Sequence, residues 1–239
     1  MAARSFQGNT RGTAGEVTPR KTWLIVSAAL AVAVYALLWI GFASHWNWVT
    51  TVDSALLSDT HRYSAGYPGR VTAWDLFCTV LGPTAFRLVT VVVIIFALAR
   101  RKVRVAMFLV ISVELIGIIT EIAKYAASRP RPTTALVVAP STSFPSGHAL
   151  GVMVGVLALL TVVLPVVHRP LRAWLVAVGA LIVVAIGIGR VVLNVHYPSD
   201  VVAGWALGYA YFVVCLLIIP PTRPVTVTDE TPAALDTAP

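Results

Sequence analysis

Charge is what this chain has least of. Only 12% of its 239 residues are Asp, Glu, Lys or Arg, while 58% are hydrophobic, and mean hydropathy is +0.84. A water-soluble domain carries about 25% charged residues. The composition therefore excludes an ordinary soluble protein and points to one integral membrane domain. Cysteine is scarcer still. Two residues, Cys78 and Cys215, exclude a disulfide scaffold, and hydropathy places them near opposite membrane faces, too far apart to bridge. No internal repeat is evident. Carboxylates are the rarer charge, 10 against 18 Lys and Arg, for a net charge of +8. The excess cations are spread over short loops rather than gathered on one soluble face. That leaves no case for nucleic acid, and it fits membrane topology together with an anionic ligand.

Long hydrophobic runs, by contrast, are abundant. A membrane-crossing helix needs roughly 20 apolar residues, and six segments qualify: Thr22–Ser44, Pro83–Ala99, Val103–Lys124, Gly147–Val167, Leu171–Leu193 and Asp200–Pro220. Trp74–Leu81 is also apolar, but Gly82-Pro83 interrupts it, so it reads as an interfacial or re-entrant piece. Trp46 and Trp48 fit an aromatic belt beyond the first span. The first run has no A-x-A-like cleavage site and is long enough to span, so it reads as an anchor. Residues 1–21 and 221–239 read as disordered cytoplasmic segments, with a single membrane domain over 22–220 between them.

Loop charge sets the orientation. Arg20-Lys21, Arg100-Arg101-Lys102 with Arg104, His168-Arg169 with Arg172, and Arg223 all fall on one side. The positive-inside rule assigns that side to the cytoplasm. The fold class expected is all-α: a polytopic six-transmembrane-helix bundle with both termini cytoplasmic.

With that topology three polar clusters meet on the outer face. Lys124 through Arg131-Pro132 closes the third span, Pro145-Ser146-Gly147-His148 opens the fourth, and Arg190, His196 and Asp200 join the fifth to the sixth. Hydropathy does not require them to converge, and ionisable groups beside a bilayer are costly enough to need a reason. Lys124, Arg131 and Arg190 offer the donors a phosphoryl group needs. Ser146, Gly147 and His148 sit at a helix N-terminus, where free N–H groups favour an anion and Gly147 allows close approach. His196 and Asp200 are four apart. A carboxylate facing the imidazole fixes its tautomer and leaves the other ring nitrogen as a nucleophile. His148 then protonates the leaving oxygen.

These clusters resemble the three-part signature of the type 2 phosphatidic acid phosphatases, a family that shares its core with vanadium haloperoxidases. The signature is Lys, six residues, Arg-Pro; then Pro-Ser-Gly-His; then Ser-Arg, five residues, His, three residues, Asp. The spacing matches throughout, with one departure: Gly189 stands where the family usually has Ser. The resemblance covers about half of the chain, roughly Val103 to Pro220. It implies a metal-independent phosphatase with no cofactor and a covalent phosphohistidine on His196. Asp200 would support that residue, with His148 as acid and then base. Lys124, Arg131, Ser146, Gly147 and Arg190 would bind the phosphate.

Taken singly, each residue has a plainer explanation. Lys124 and Arg131 could snorkel to the interface, His148 could be an interfacial histidine, and Asp200 could be a helix cap. Arg129, off the signature positions, reads as a surface or headgroup contact. Glu121 is spaced to pair with Lys124. Glu114 reads as a protonated, hydrogen-bonded structural residue in mid-span, or a lining of a water-filled cavity, and Arg87 as a snorkelling cation, or else a contact to a second phosphate. Asp75 reads as interfacial.

The substrate expected is a lipid phosphate or diphosphate. A polyprenyl diphosphate trimmed to the monophosphate on the extracytoplasmic side of the plasma membrane ranks ahead of phosphatidylglycerophosphate or phosphatidic acid. A catalytically silent protein that binds or transports an anionic lipid is the non-enzyme alternative. A haloperoxidase would need bound vanadate and a less apolar shell.

Overall fold

A computed structural model describes residues 19–222. The segments 1–18 and 223–239, which hold most of the termini expected to be disordered and the loop cation Arg223, lie outside the described residues. Pro19–Lys21 do not belong to such a segment, because they form the first turn of α1. Within the described residues the chain is helical, with no strand. Its order is α1 (Pro19–Ala43), α2 (Asn47–Ser64), α3 (Pro68–Val80), α4 (Pro83–Ala99), α5 (Val103–Leu109), α6 (Ile116–Ala127), α7 (Gly147–Val163), α8 (Arg169–Val192) and α9 (Pro198–Ile218). A π-helical turn, Val110–Glu114, links α5 to α6. Six stretches are long and apolar enough to cross a membrane. They are the six segments expected, with two differences.

The second span is longer than hydropathy suggested. It runs from Pro68 to Ala99, because α3 leads directly into α4 through a two-residue break at Leu81-Gly82. Trp74–Leu81 is thus not an interfacial or re-entrant piece. Trp74, Phe77 and Cys78 pack with Ile186 and Leu193 of the α8 end, so burial against a neighbouring helix outweighs the Gly-Pro signal. The second difference is α2. Its sequence is too polar to span, but Val49, Asp53, Leu57 and Ser64 are buried along one stripe. It packs across the ends of α8 and α9, anchored by Thr60 Oγ1 to the Val191 carbonyl at 3.3 Å.

The bundle is centred on α7 and α9. Lipid tails are as apolar as the side chains, so helices must approach closely to gain packing energy. Gly204 and Gly208 of α9 allow this. A Cβ there would lie 2.6 Å from the Ser146 carbonyl and 2.8 Å from the Leu150 carbonyl of α7. Phe108, Leu109, Leu150, Val154 and Val213 fill the interior, while Leu30, Leu88, Val92, Ile95 and Leu181 point outward and stay exposed. One end of the bundle gathers the basic loops: Arg101, Lys102 and Arg104 share a cavity of about 660 Å³ with Pro165, Val166 and Pro221. The polar clusters lie at the other end. Cys78 and Cys215 are both free and buried.

Candidate active site

Each element delivers its polar side chain for a local reason. α6 stops at Ala127 because Ser128 takes a left-handed conformation (φ 46°) and the prolines Pro130 and Pro132 cannot continue a helix. Lys124 is left on the last turn, its Nζ donating to Ser141 Oγ (3.0 Å) and the Thr142 carbonyl (2.5 Å). Ser146 caps α7, with its Oγ facing the Ala149 N–H at 3.5 Å, while its own N–H donates to the Asp200 carbonyl at 2.9 Å. Gly147 follows, and a Cβ there would meet Lys124 Cε at 3.7 Å. The start of α7 and the end of α6 therefore share one surface. Asp200 sits in the first turn of α9 and accepts the Tyr197 N–H at 2.9 Å. The N-cap is Tyr197 rather than Asp200, which serves as the N3 partner of the capping box, and this leaves the carboxylate free to do more.

His196 occupies the turn between α8 and α9 and is 1% exposed. Its Nδ1 lies 3.5 Å from Asp200 Oδ2. That is ion-pair distance, but the alignment is not that of a hydrogen bond, and Nδ1 has no other partner. Its Nε2 lies 3.2 Å from Arg131 Nη1. A guanidinium has donors only, so Nε2 must be the acceptor and the ring proton sits on Nδ1, facing the carboxylate. This is the tautomer that nucleophilic attack through Nε2 requires. Burial drives the His196 pKa down to about 4, against the opposing pull of Asp200, so the imidazole is neutral at neutral pH. Arg131 is fixed by the Ser141 carbonyl (2.6 Å) and the Val195 carbonyl (2.6 Å). Burial and the nearby Arg190 lower its pKa, though a guanidinium stays charged. Arg190 is buried and its Nε has no hydrogen-bond partner, an orphan donor that an anion would satisfy. His148 lies within electrostatic reach of Arg190, His196, Arg131 and Lys124.

All the signature residues, Lys124, Arg131, Ser146, Gly147, His148, Arg190, His196 and Asp200, thus gather at one end of the bundle. Several neighbours behave differently from expectation. Arg129 is not a surface or headgroup contact. It is 5% exposed, donates to Asp200 Oδ1 (2.6 Å) and Asp53 Oδ2 (2.8 Å), and is stacked between Tyr197 and Phe42. A buried cation needs such partners. Glu121 is exposed, and the Lys124 ammonium turns instead to Ser141 and Thr142 in the loop. Arg87 does not simply snorkel: its Nε is 3.2 Å from Glu114 Oε2, and Thr90 Oγ1 donates to Glu114 Oε1 at 2.7 Å. Glu114 is the hydrogen-bonded residue expected, but with a cation as its partner.

Sequence reasoning missed Asp53, Ser143 and Ser199. Ser143 Oγ donates to Asp200 Oδ2, and Ser199 bonds both Asp53 and Arg129. A signal existed for Asp53 alone, because it falls on the buried stripe of α2 at helical spacing from Val49 and Leu57. At Gly189 the structure supplies a reason for the departure from the signature: a Cβ would lie 2.6 Å from Cys78 Sγ and 2.9 Å from Trp74. The close approach of α3 leaves no room for a side chain.

Comparisons with known proteins agree with this architecture. The family model of the PAP2 superfamily matches residues 105–224. A curated relative, an undecaprenyl-diphosphatase of Sulfolobus acidocaldarius, is 35% identical over 127 residues, which is 50% of this chain and 56% of the relative. The chain spans little more than half the length of that relative. Among solved structures, the transmembrane PAP2 type phosphatidylglycerolphosphate phosphatase from Bacillus subtilis superposes with a TM-score of 0.69. The match covers 83% of this chain and 98% of that one at 21% identity. At that identity the likeness establishes the fold, a helical transmembrane bundle.

Proposed function

The chain belongs to the PAP2 superfamily, and from that premise we propose that it is a membrane lipid phosphatase that hydrolyses a polyprenyl diphosphate to the monophosphate. The observation that carries the reading is the order Arg131–His196–Asp200, with the accepting Nε2 turned toward the cations and the Nδ1 proton toward the carboxylate. The terminal phosphoryl group takes over the donors of Arg131, Arg190 and Lys124 and the N–H groups at the start of α7. Nε2 is then released to attack phosphorus. The Nε2–P bond forms, the bridging P–O bond breaks, and His148 gives its proton to the leaving monophosphate. Water then attacks the phosphohistidine, His148 takes the proton back, and inorganic phosphate leaves. The three cations stabilise the charge that a metal ion would otherwise meet, so no metal enters the scheme.

The diphosphate substrate is favoured by two things. Loop charge favours a site on the extracytoplasmic face, where a spent lipid diphosphate carrier is released, and the curated relative is named for that substrate. Phosphatidylglycerophosphate is the second reading, favoured by the name of the structural neighbour. A purified-protein panel decides between them: phosphate release from polyprenyl diphosphate, phosphatidylglycerophosphate and phosphatidic acid, each with and without chelator. The diphosphate should give the highest kcat/KM, unchanged by chelation. Preference for phosphatidylglycerophosphate reverses the assignment, and loss on chelation with recovery on added magnesium removes the mechanism.

A further inference from the structure

Asp53 lies outside the matched residues 105–224, on α2, a helix too polar to count as a span, and touches none of the proposed phosphate-binding groups. It is nevertheless 2% exposed, and a buried carboxylate is costly unless fully paired. Both its oxygens are engaged. Oδ1 accepts the Ser199 N–H at 2.9 Å, and Oδ2 accepts Ser199 Oγ–H at 2.6 Å and Arg129 Nη2 at 2.8 Å. The other arm of Arg129 donates to Asp200 Oδ1 at 2.6 Å. One guanidinium therefore bridges two carboxylates, and the second of them faces the imidazole.

We propose that Asp53 is a positioning residue for the hydrolytic reaction, balancing the charge of Arg129 so that Asp200 keeps its negative charge for His196. The inference rests on the reading of His196 as the nucleophile. The physical argument is one of charge. Paired with Arg129 alone, Asp200 would be half of a neutral ion pair, and the imidazole would feel little of it. With Asp53 on the other arm, the cluster keeps a net negative charge beside the ring. That charge is needed when Nε2 bonds phosphorus and the ring becomes positive, because a carboxylate behind the ring stabilises the positive charge. Asp53 does not reach the substrate, so its effect belongs in kcat.

A purely structural alternative is that Asp53 only clamps α2 to α9 through Ser199. The two roles separate in kinetics. Asp53→Asn keeps the size and an acceptor for the Ser199 N–H but removes the charge. The other groups that face His196 stay in place: Arg131 from the loop, Arg190 from α8, His148 from α7 and Lys124 from α6. In the full-length purified protein, with polyprenyl diphosphate as substrate, Asp53→Asn should lower kcat by about ten- to a hundredfold, the range for outer partners of an active side chain, while KM stays within about twofold. The acid limb of kcat/KM should move to lower pH, because an unbalanced Arg129 opposes protonation of the ring. Asp53→Asn/Arg129→Met should return the limb toward its original position, since cation and anion are then both gone. Ser199→Ala, which removes the hydroxyl arm of the clamp but keeps the backbone N–H bond to Asp53 and the Asp53–Arg129 contact, should retain most of kcat, and it tests the proposal even if Asp53→Asn does not fold. An unmoved limb in folded Asp53→Asn, or a loss in Ser199→Ala equal to that in Asp53→Asn, overturns the proposal. His196→Ala is run beside them. Turnover in that folded variant removes the nucleophile assignment and this inference together, whereas a dead His196→Ala with an unchanged Asp53→Asn removes the inference alone.

Discussion

His196 is where burial and chemistry meet. Its pKa is held near 4 by desolvation, below the ordinary value of 6.5. The sign of the consequence is fixed. A group that is harder to protonate when folded contributes stability above its unfolded pKa, and that contribution is lost as pH falls toward the folded value. The melting temperature should therefore drop between pH 6.5 and pH 4, and less steeply in His196→Gln. Activity carried by the neutral imidazole should persist at pH 6.5 and fail only below it. A second residue-scale prediction concerns Gly189. With Cys78 Sγ and Trp74 so close, Gly189→Ser should cost about 1–3 kcal/mol from overpacking and lower activity through the neighbouring Arg190. Adding Cys78→Ala should recover part of the loss in a detergent melting assay. At this scale the signature residues were legible because fixed spacing carries them. The polar contacts of Arg129, Ser143 and Ser199 were not, because they depend on which loops meet in space.

At the scale of elements, hydropathy found all the spans, since an apolar run longer than the bilayer core admits few alternatives. It was silent where polarity and burial part company. α2 is too polar to register as a span yet buries a stripe, and α3 looked interrupted yet packs as part of a long helix. The π turn at Val110–Glu114 is a local adjustment of the helix ladder, ending on the glutamate that meets Arg87 of α4. That contact should contribute about 1 kcal/mol, as interhelical polar contacts in membranes do. Arg87→Met should lower the melting temperature, and Arg87→Met/Glu114→Gln should restore part of it, because the stranded carboxylate is then gone. Equal melting points in the single and double variants would make the contact incidental.

Across the whole molecule, the two ends of the bundle differ in kind: basic loops at one, the polar site at the other. Orientation follows if the basic end is cytoplasmic. With Cys78 and Cys215 replaced, a cysteine at Ala135 should react with a membrane-impermeant thiol reagent in intact cells. A cysteine at Val103 should react only after the membrane is opened. The reverse pattern would put the site inside and make phosphatidylglycerophosphate the leading substrate. The central claim, however, is covalent, and one measurement reaches it directly. Purified protein is mixed with polyprenyl diphosphate, quenched at alkaline pH because phosphohistidine is acid-labile, and mapped by peptide mass spectrometry. A phosphoryl group on His196, absent from the Asn194–Tyr197 segment of His196→Ala, is the predicted result. A phosphoryl group on another residue of an active protein would contradict the account.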